Sequence, residues 1–172
     1  SAYSRGTLDE VSFCLSLGFK AIHFGVPTAS KDSKYTPSWM MTQAQDLIKF
    51  SKDKDAFVSI SAVDIGRADP SFLNDYACMV QEAGADRLRL SDTTGRLMPE
   101  QYQNIVRAVK EVSTIDLQCH AHNDFGFALA NTIAAIEAGV KYFHVTVNGV
   151  GERAGMPDFA QVVLALHRFY DV

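Results

Sequence analysis

Polar and apolar residues alternate strictly in several short stretches of this chain. Val58-Ser59-Ile60-Ser61 sets two serines on one face of an extended segment and Val58 and Ile60 on the other. His144-Val145-Thr146-Val147-Asn148 does the same with three polar residues against two valines. Between such stretches apolar residues recur every three or four positions, the spacing of a helix with one buried face. The pattern predicts strands near 1–4, 20–26, 56–63, 86–91, 115–121 and 141–148, and helices near 7–17, 37–53, 70–83, 98–112, 125–138 and 158–170. Three junctions repeat one theme, a helix end, a glycine and a short strand: Leu17-Gly18-Phe19, Ala83-Gly84-Ala85 and Ala138-Gly139-Val140. Glycine suits the left-handed position that closes a helix. The glycines are spaced 66 and 55 residues apart, each about two βα units at roughly 30 residues per unit.

Strands alternating with helices imply a parallel sheet. Six βα units with short strands and polar strand ends predict most of a (β/α)8 barrel, which takes about 250 residues when complete. A doubly wound open sheet is the alternative. The strand interiors favour the barrel, because their polar side chains share one parity and lie toward the C-terminal end, as at a barrel mouth. On that expectation residues 1–172 are one partial barrel domain, the third to eighth βα units. The first two units would lie outside this sequence, and the edge strands would be open. The first residue is Ser, and Ser1-Ala2-Tyr3-Ser4 already reads as a strand, which agrees with a fragment of a longer chain.

Composition narrows the functional classes. The 172 residues can bury a real core, and a net charge of -4 with no basic patch argues against nucleic acid. No run is long and apolar enough to span a membrane. Three widely spaced cysteines, Cys14, Cys78 and Cys119, are odd in number, so no disulfide framework is expected and a reducing, cytoplasmic setting is. They read as small buried residues, and Cys119 is not a candidate nucleophile.

Candidate chemistry gathers at three predicted strand ends. The first is Cys119-His120-Ala121-His122-Asn123-Asp124. Imidazoles at i and i+2 of a strand point to one side, as a divalent metal requires; two histidines that merely hydrogen-bond inside the fold are the alternative. No carboxylate is an obvious third ligand. Asp124 and Asp92 are possible, and a ligand from a strand outside this sequence is as good a candidate. The second is Leu90-Ser91-Asp92-Thr93-Thr94-Gly95, where Thr93 is placed to donate to a substrate carboxylate and the alternative is capping of the next helix. The third is Asn148-Gly149-Val150-Gly151-Glu152-Arg153-Ala154-Gly155, whose glycines permit close approach of backbone to a ligand or simply make a tight turn. Arg87, Arg89, His23, Asp64 and Arg67 read first as ion pairs or caps, and Trp39, Met40 and Met41 as core.

Taken together, 90–95, 120–126 and 148–155 resemble the metal-dependent, Claisen-condensing aldolase-type barrels. That group includes homocitrate synthase, 2-isopropylmalate synthase, citramalate synthase and 3-hydroxy-3-methylglutaryl-CoA lyase. The 148–155 run is similar to the synthases rather than the lyase. Arg67-Ala68-Asp69 and His122-Asn123-Asp124-Phe125-Gly126 look closest to homocitrate synthases. The resemblance implies a transferase that joins acetyl-CoA to a 2-oxo acid, 2-oxoglutarate first, acting as a homodimer. It implies a divalent metal (Mg2+, Mn2+ or Zn2+) on His120 and His122. It implies Thr93, Arg89, Thr146 and Asn148 on the substrate, Gly149, Gly151 and Arg153 toward acetyl-CoA, and His144 and Glu152 as catalytic groups. A further metal ligand and a catalytic arginine belong to a first strand that this sequence does not contain. The alternatives are a 2-isopropylmalate or citramalate synthase, a carbon–carbon lyase, and a metal-binding homologue without catalysis. Four positions depart from the family pattern: Met156 for Asn, Gln118 for Glu, Val63 for an acidic residue, and no histidine within 30–34. Methionine cannot replace asparagine as an oxygen donor to a hard cation.

Overall fold

Six parallel strands lie side by side in chain order, β1 (Ala2–Ser4), β2 (Ala21–Pro27), β3 (Phe57–Val63), β4 (Arg87–Asp92), β5 (Asp116–Ala121) and β6 (Tyr142–Phe143). Helices α1 (Leu8–Ser16), α2 (Pro37–Lys52), α3 (Pro70–Glu82), α4 (Pro99–Val112), α5 (Ala128–Glu137) and α6 (Phe159–Tyr170) alternate with them. This computed structural model describes residues 1–29 and 35–170. Residues 30–34, where a family histidine was expected and is absent from the sequence, lie outside the described residues. Strict chain order excludes the doubly wound alternative, in which the order reverses at a switch point. The sheet is most of a (β/α)8 barrel, open between β1 and β6. Among the described residues no helix is long and apolar enough to cross a membrane.

The alternation read from the sequence decides which face meets the helices. Val58, Ile60 and Ala62 of β3, Leu88 and Leu90 of β4, and Leu117 and Cys119 of β5 are buried in one apolar cluster with Leu47, Tyr76, Val80, Tyr102 and Val106 of the helices. Ser59, Ser61, Ser91 and Gln118 face the opposite side. The glycine junctions are helix stops: Gly84 has φ +92°, its N–H bonds to Gln81 O at 3.0 Å, and Ala85 N–H bonds to Val80 O at 3.2 Å. The same pair of bonds recurs at Gly18 and Gly139.

Three expectations need correction. The strand expected over 141–148 is only Tyr142–Phe143. Beyond it His144 N–H still bonds to Cys119 O of β5 at 3.0 Å, after which the backbone bonds to the loop in front of α6, Thr146 N–H to Pro157 O at 3.1 Å, and makes a short 3-10 turn, Val147–Gly149. Val147 and Val150 are exposed rather than packed on a strand face. The helix expected from 125 begins at Ala128, because Gly126, at φ +79°, and a turn closed by Gly126 N–H to Asn123 O precede it. Of the presumed core residues, Met40 is buried, but Trp39 stands at the surface tilted against Tyr35. Cys14 and Cys78 are half-buried, and only Cys119 is fully enclosed.

Candidate active site

The C-terminal ends of β3, β4 and β5 and the segment after β6 surround a cavity of about 570 Å3. Parity and register bring its side chains together. Ser61 pairs with Arg89 across β3–β4, and Ser91 pairs with His120 across β4–β5, so residues from successive strands enter at two levels about 6.6 Å apart along the strands. Arg89, Thr93, His120, His122, His144, Thr146, Gly151 and Glu152 all border the cavity. Asn148, Gly149 and Arg153 do not. Asn148 sits at the tip of the 3-10 turn with φ +59° and is turned to solvent.

The histidines form one hydrogen-bonded chain whose polarity follows from its ends. A guanidinium only donates, so Arg89 Nη2 donates to His144 Nε2 at 3.1 Å. Burial, with Arg89 close by, pushes His144 down to about 4 and His120 to about 2, so both rings are neutral near pH 7. Neutral His144 then carries its proton on Nδ1 and donates to His120 Nδ1 at 2.9 Å. Neutral His120 carries its proton on Nε2, 3.3 Å from His122 Nε2. His122 Nδ1 lies 2.7 Å from Thr93 O, to which its N–H donates when Nε2 accepts from His120, and 2.9 Å from Arg153 Nη2, which competes for the same nitrogen. Arg153 lies over this last link, donating to Thr93 O at 2.8 Å and to Asp124 at 2.6 and 2.8 Å.

The donor set suits a divalent cation in part. Two imidazole nitrogens held about 2.0–2.1 Å from one ion at a near-tetrahedral angle stand roughly 3.3 Å apart, which is the spacing of His120 Nε2 and His122 Nε2. His122 also donates its other nitrogen to a carbonyl, the arrangement that orients ligating histidines. Among the described residues no cluster of three or more His, Cys, Asp or Glu completes a site. Both candidate third ligands have other work. Asp92 is fully buried and accepts from the N–H groups of Arg96 and Leu97, capping its own loop, while Asp124 pairs with Arg153.

The remaining candidates have structural partners. Asp64 N–H bonds to the Thr93 hydroxyl at 2.9 Å, which holds that side chain at the cavity and leaves its proton only a weak contact at 3.5 Å to Ser91 O. His23 is wedged between Ser59 and Ser61 at 2.9 and 3.0 Å and stacks on Tyr3. Arg67 pairs with Asp64, and Arg87 lies over the rings of Tyr142 and Phe57. In the loop, a Cβ on Gly151 would meet Met156 Cγ at 2.6 Å, and one on Gly155 would meet Gly149 O at 2.1 Å, so these glycines let the loop fold tightly on itself. Met156 closes that fold, its N–H bonding to Gly149 O at 2.9 Å, and borders the cavity. Sequence reasoning missed Tyr102, whose hydroxyl donates to Leu90 O and accepts from His120 N–H at 3.2 Å beneath the histidines. Its only signal was a tyrosine on the buried stripe of α4, where a hydroxyl must find a partner.

A family model described as HMGL-like matches residues 1–170. The 2-phosphonomethylmalate synthase of Streptomyces rubellomurinus is 54% identical over 173 residues, 98% of this chain and 46% of that protein. The 2-isopropylmalate synthase 2 of Caldanaerobacter subterraneus subsp. tengcongensis is 38% identical over 173 residues, 98% of this chain and 45% of that protein. The chain thus spans about half the length of the curated relatives it matches. Among solved structures, an HMG-CoA lyase from Brucella melitensis superposes with a TM-score of 0.83 at 19% identity, over 95% of this chain and 64% of that one, a likeness of fold.

Proposed function

The chain belongs to the HMGL-like family, and from that premise we propose that the full-length protein condenses acetyl-CoA with a 2-oxo acid. Relatives at 54%, 38% and 35% identity are named as 2-phosphonomethylmalate, 2-isopropylmalate and homocitrate synthases, so they are named for different products. The resemblance to homocitrate synthases makes 2-oxoglutarate the first substrate to test, with the oxo acids of 2-isopropylmalate and citramalate synthesis next. The observation that carries the reading is the convergence of His120 Nε2 and His122 Nε2 beside a cavity lined by hydroxyls and a guanidinium.

In this reading the six βα units are the third to eighth of the barrel, and His120 and His122 are two ligands of a divalent cation. The ion, when bound, polarises the ketone of the oxo acid as a Lewis acid. The proton on His120 Nε2 must leave that nitrogen for both rings to ligate. The Thr93 hydroxyl, held by Asp64, donates to the substrate carboxylate. Two groups are placed to take a proton from the acetyl methyl. His144 has both nitrogens engaged, by His120 and Arg89. Glu152 is the cavity's one carboxylate among the described residues, and its Oε1 has no partner, so Glu152 is the better base. The methyl carbon then bonds to the ketone carbon, the ketone oxygen gains a proton, and water cleaves the thioester to a carboxylate and free CoA. The glycine loop through Gly149, Gly151 and Arg153 forms the rim at which acetyl-CoA approaches.

The test is thiol release from acetyl-CoA by the full-length protein with each oxo acid. Release should be lost with a chelator, restored by metal, and lost in His122→Ala. Turnover that ignores the chelator and survives His122→Ala overturns the reading.

A further inference from the structure

Arg153 stands outside the cavity, yet four of its five N–H donors are spent on the loops around it. Nε and Nη2 meet the two oxygens of Asp124 at 2.6 and 2.8 Å, a forked pair that fixes direction as well as distance. Nη2 also donates to Thr93 O at 2.8 Å, and Nη1 reaches Glu152 Oε2 at 3.3 Å. One side chain on the glycine loop thereby ties down the segments that follow β4 and β5.

The backbone around it supports the same junction. Asn123 N–H bonds to Gly155 O at 2.9 Å, so the segment after β5 and the glycine loop also meet through their main chains. At Gly95, where φ is +60°, an added Cβ would lie 2.5 Å from Asp124 Oδ2 and 2.9 Å from Asp124 N, so glycine leaves the carboxylate its seat. Arg153 holds a left-handed φ of +56°, which a residue with a Cβ adopts at a cost. From that conformation its side chain reaches Asp124 and Thr93 O together. Thr93 O lies 2.7 Å from His122 Nδ1, so the carbonyl beside the His122 ring is itself held by Arg153. Neither side chain of the pair belongs to the apolar cluster, and Arg153 is 44% exposed.

We infer that Arg153 is a positioning residue for the candidate cation site: through Asp124 and Thr93 O it holds the segments after β4 and β5 together, so that His122 Nε2 stays beside His120 Nε2. Its donors serve this junction rather than acetyl-CoA. The inference rests on the metal-dependent reading above.

The experiment measures Co2+ affinity of the full-length protein by competition with a chelator, in the unaltered protein and in Arg153→Gln, Arg153→Lys, Asp124→Asn and the double variant Arg153→Gln with Asp124→Asn. The KM for acetyl-CoA is measured alongside. Arg153→Gln and Asp124→Asn should each weaken Co2+ binding about tenfold, on the scale of lost support behind a ligating histidine. The double variant should lose no more than either single one, because both act through one contact. Arg153→Lys should recover part of the loss, since an ammonium keeps the charge but not the fork. The KM for acetyl-CoA should stay within about twofold, a change of under 1 kcal/mol. Unchanged Co2+ affinity with a raised KM for acetyl-CoA overturns the inference, for the guanidinium then meets the thioester substrate. Losses that add in the double variant also overturn it. If the unaltered protein binds no Co2+, the metal reading falls, and amide hydrogen exchange decides the positioning role alone. The Asn123 and Met156 N–H groups should then exchange about tenfold faster in Arg153→Gln, with β3 unchanged. Equal exchange at those two amides overturns the inference.

Discussion

Replacing Tyr102 by Phe removes one oxygen atom from beneath the histidines. That oxygen is fully buried, donates to Leu90 O at the end of β4 and accepts from His120 N–H, so it ties α4 to two adjacent strands where the candidate ligands begin. The ring itself packs on the apolar cluster and is unchanged by the substitution. Two hydrogen bonds are lost, and a buried carbonyl and a buried N–H lose their side-chain partner, which together cost about 1–3 kcal/mol. Urea unfolding of the full-length protein, followed by circular dichroism, should show a lower midpoint with an unchanged slope, because the surface exposed on unfolding is the same. Metal affinity should fall as well, since His120 is no longer held at its backbone. A midpoint within about 0.3 kcal/mol of the unaltered protein, with metal affinity intact, would refute the bridging role of this hydroxyl.

Other consequences follow from particular contacts. Gly95→Ala places a Cβ 2.5 Å from Asp124 Oδ2 at a residue with φ +60°, and should cost on the order of 1–3 kcal/mol in thermal or urea unfolding while loosening Arg153; an unchanged midpoint counts against it. His23 is pushed by burial, and next by Arg89, from 6.5 to about 3, so the fold keeps it neutral while the unfolded chain takes up a proton below about 6.5. Its contribution to stability is complete above pH 6.5 and declines as pH falls toward 3, by at most about 1.4 kcal/mol per unit. The fall in stability between pH 7 and 5 should be shallower in His23→Gln, and equal slopes would contradict this. Residues 1–172 expressed alone leave the outer edges of β1 and β6 open and Leu164 and Phe169 of α6 exposed, and should aggregate or stay molten; a sharp, reversible unfolding transition would be the opposite result.

The fold was legible wherever one period dominated. β3 alternates serine against apolar residues without a break, and its observed bounds fall within a residue of the pattern. The stretch after Phe143 alternates just as cleanly, yet after one last bond to β5, His144 N–H to Cys119 O, it leaves the sheet, because the backbone of Thr146 bonds to Pro157 and Phe159 rather than to a strand. Period alone cannot register where a ladder stops. His120 and His122 were visible because strand geometry fixes the direction of i and i+2. Asn148 had the right parity but sits beyond the end of the strand, where parity no longer holds. Arg89 read as half of an ion pair. Only the structure reveals that its partners are neutral, since which acceptors meet Arg89 from neighbouring strands is a tertiary fact. Tyr102 and the Arg153–Asp124 pair were hidden for the same reason, their partners lying 18 and 29 residues away.

The most direct test of the account is the fate of the acetyl carbons. The full-length protein, loaded with metal, would be given acetyl-CoA labelled with carbon-13 at both acetyl positions and, in turn, 2-oxoglutarate, 2-oxoisovalerate and pyruvate, and the products analysed by mass spectrometry. The account predicts one labelled hydroxy acid, bearing both acetyl carbons on the former ketone carbon, for every CoA released. Labelled acetate alone, with the oxo acid unconsumed, would mean a thioester hydrolase and contradict the condensation.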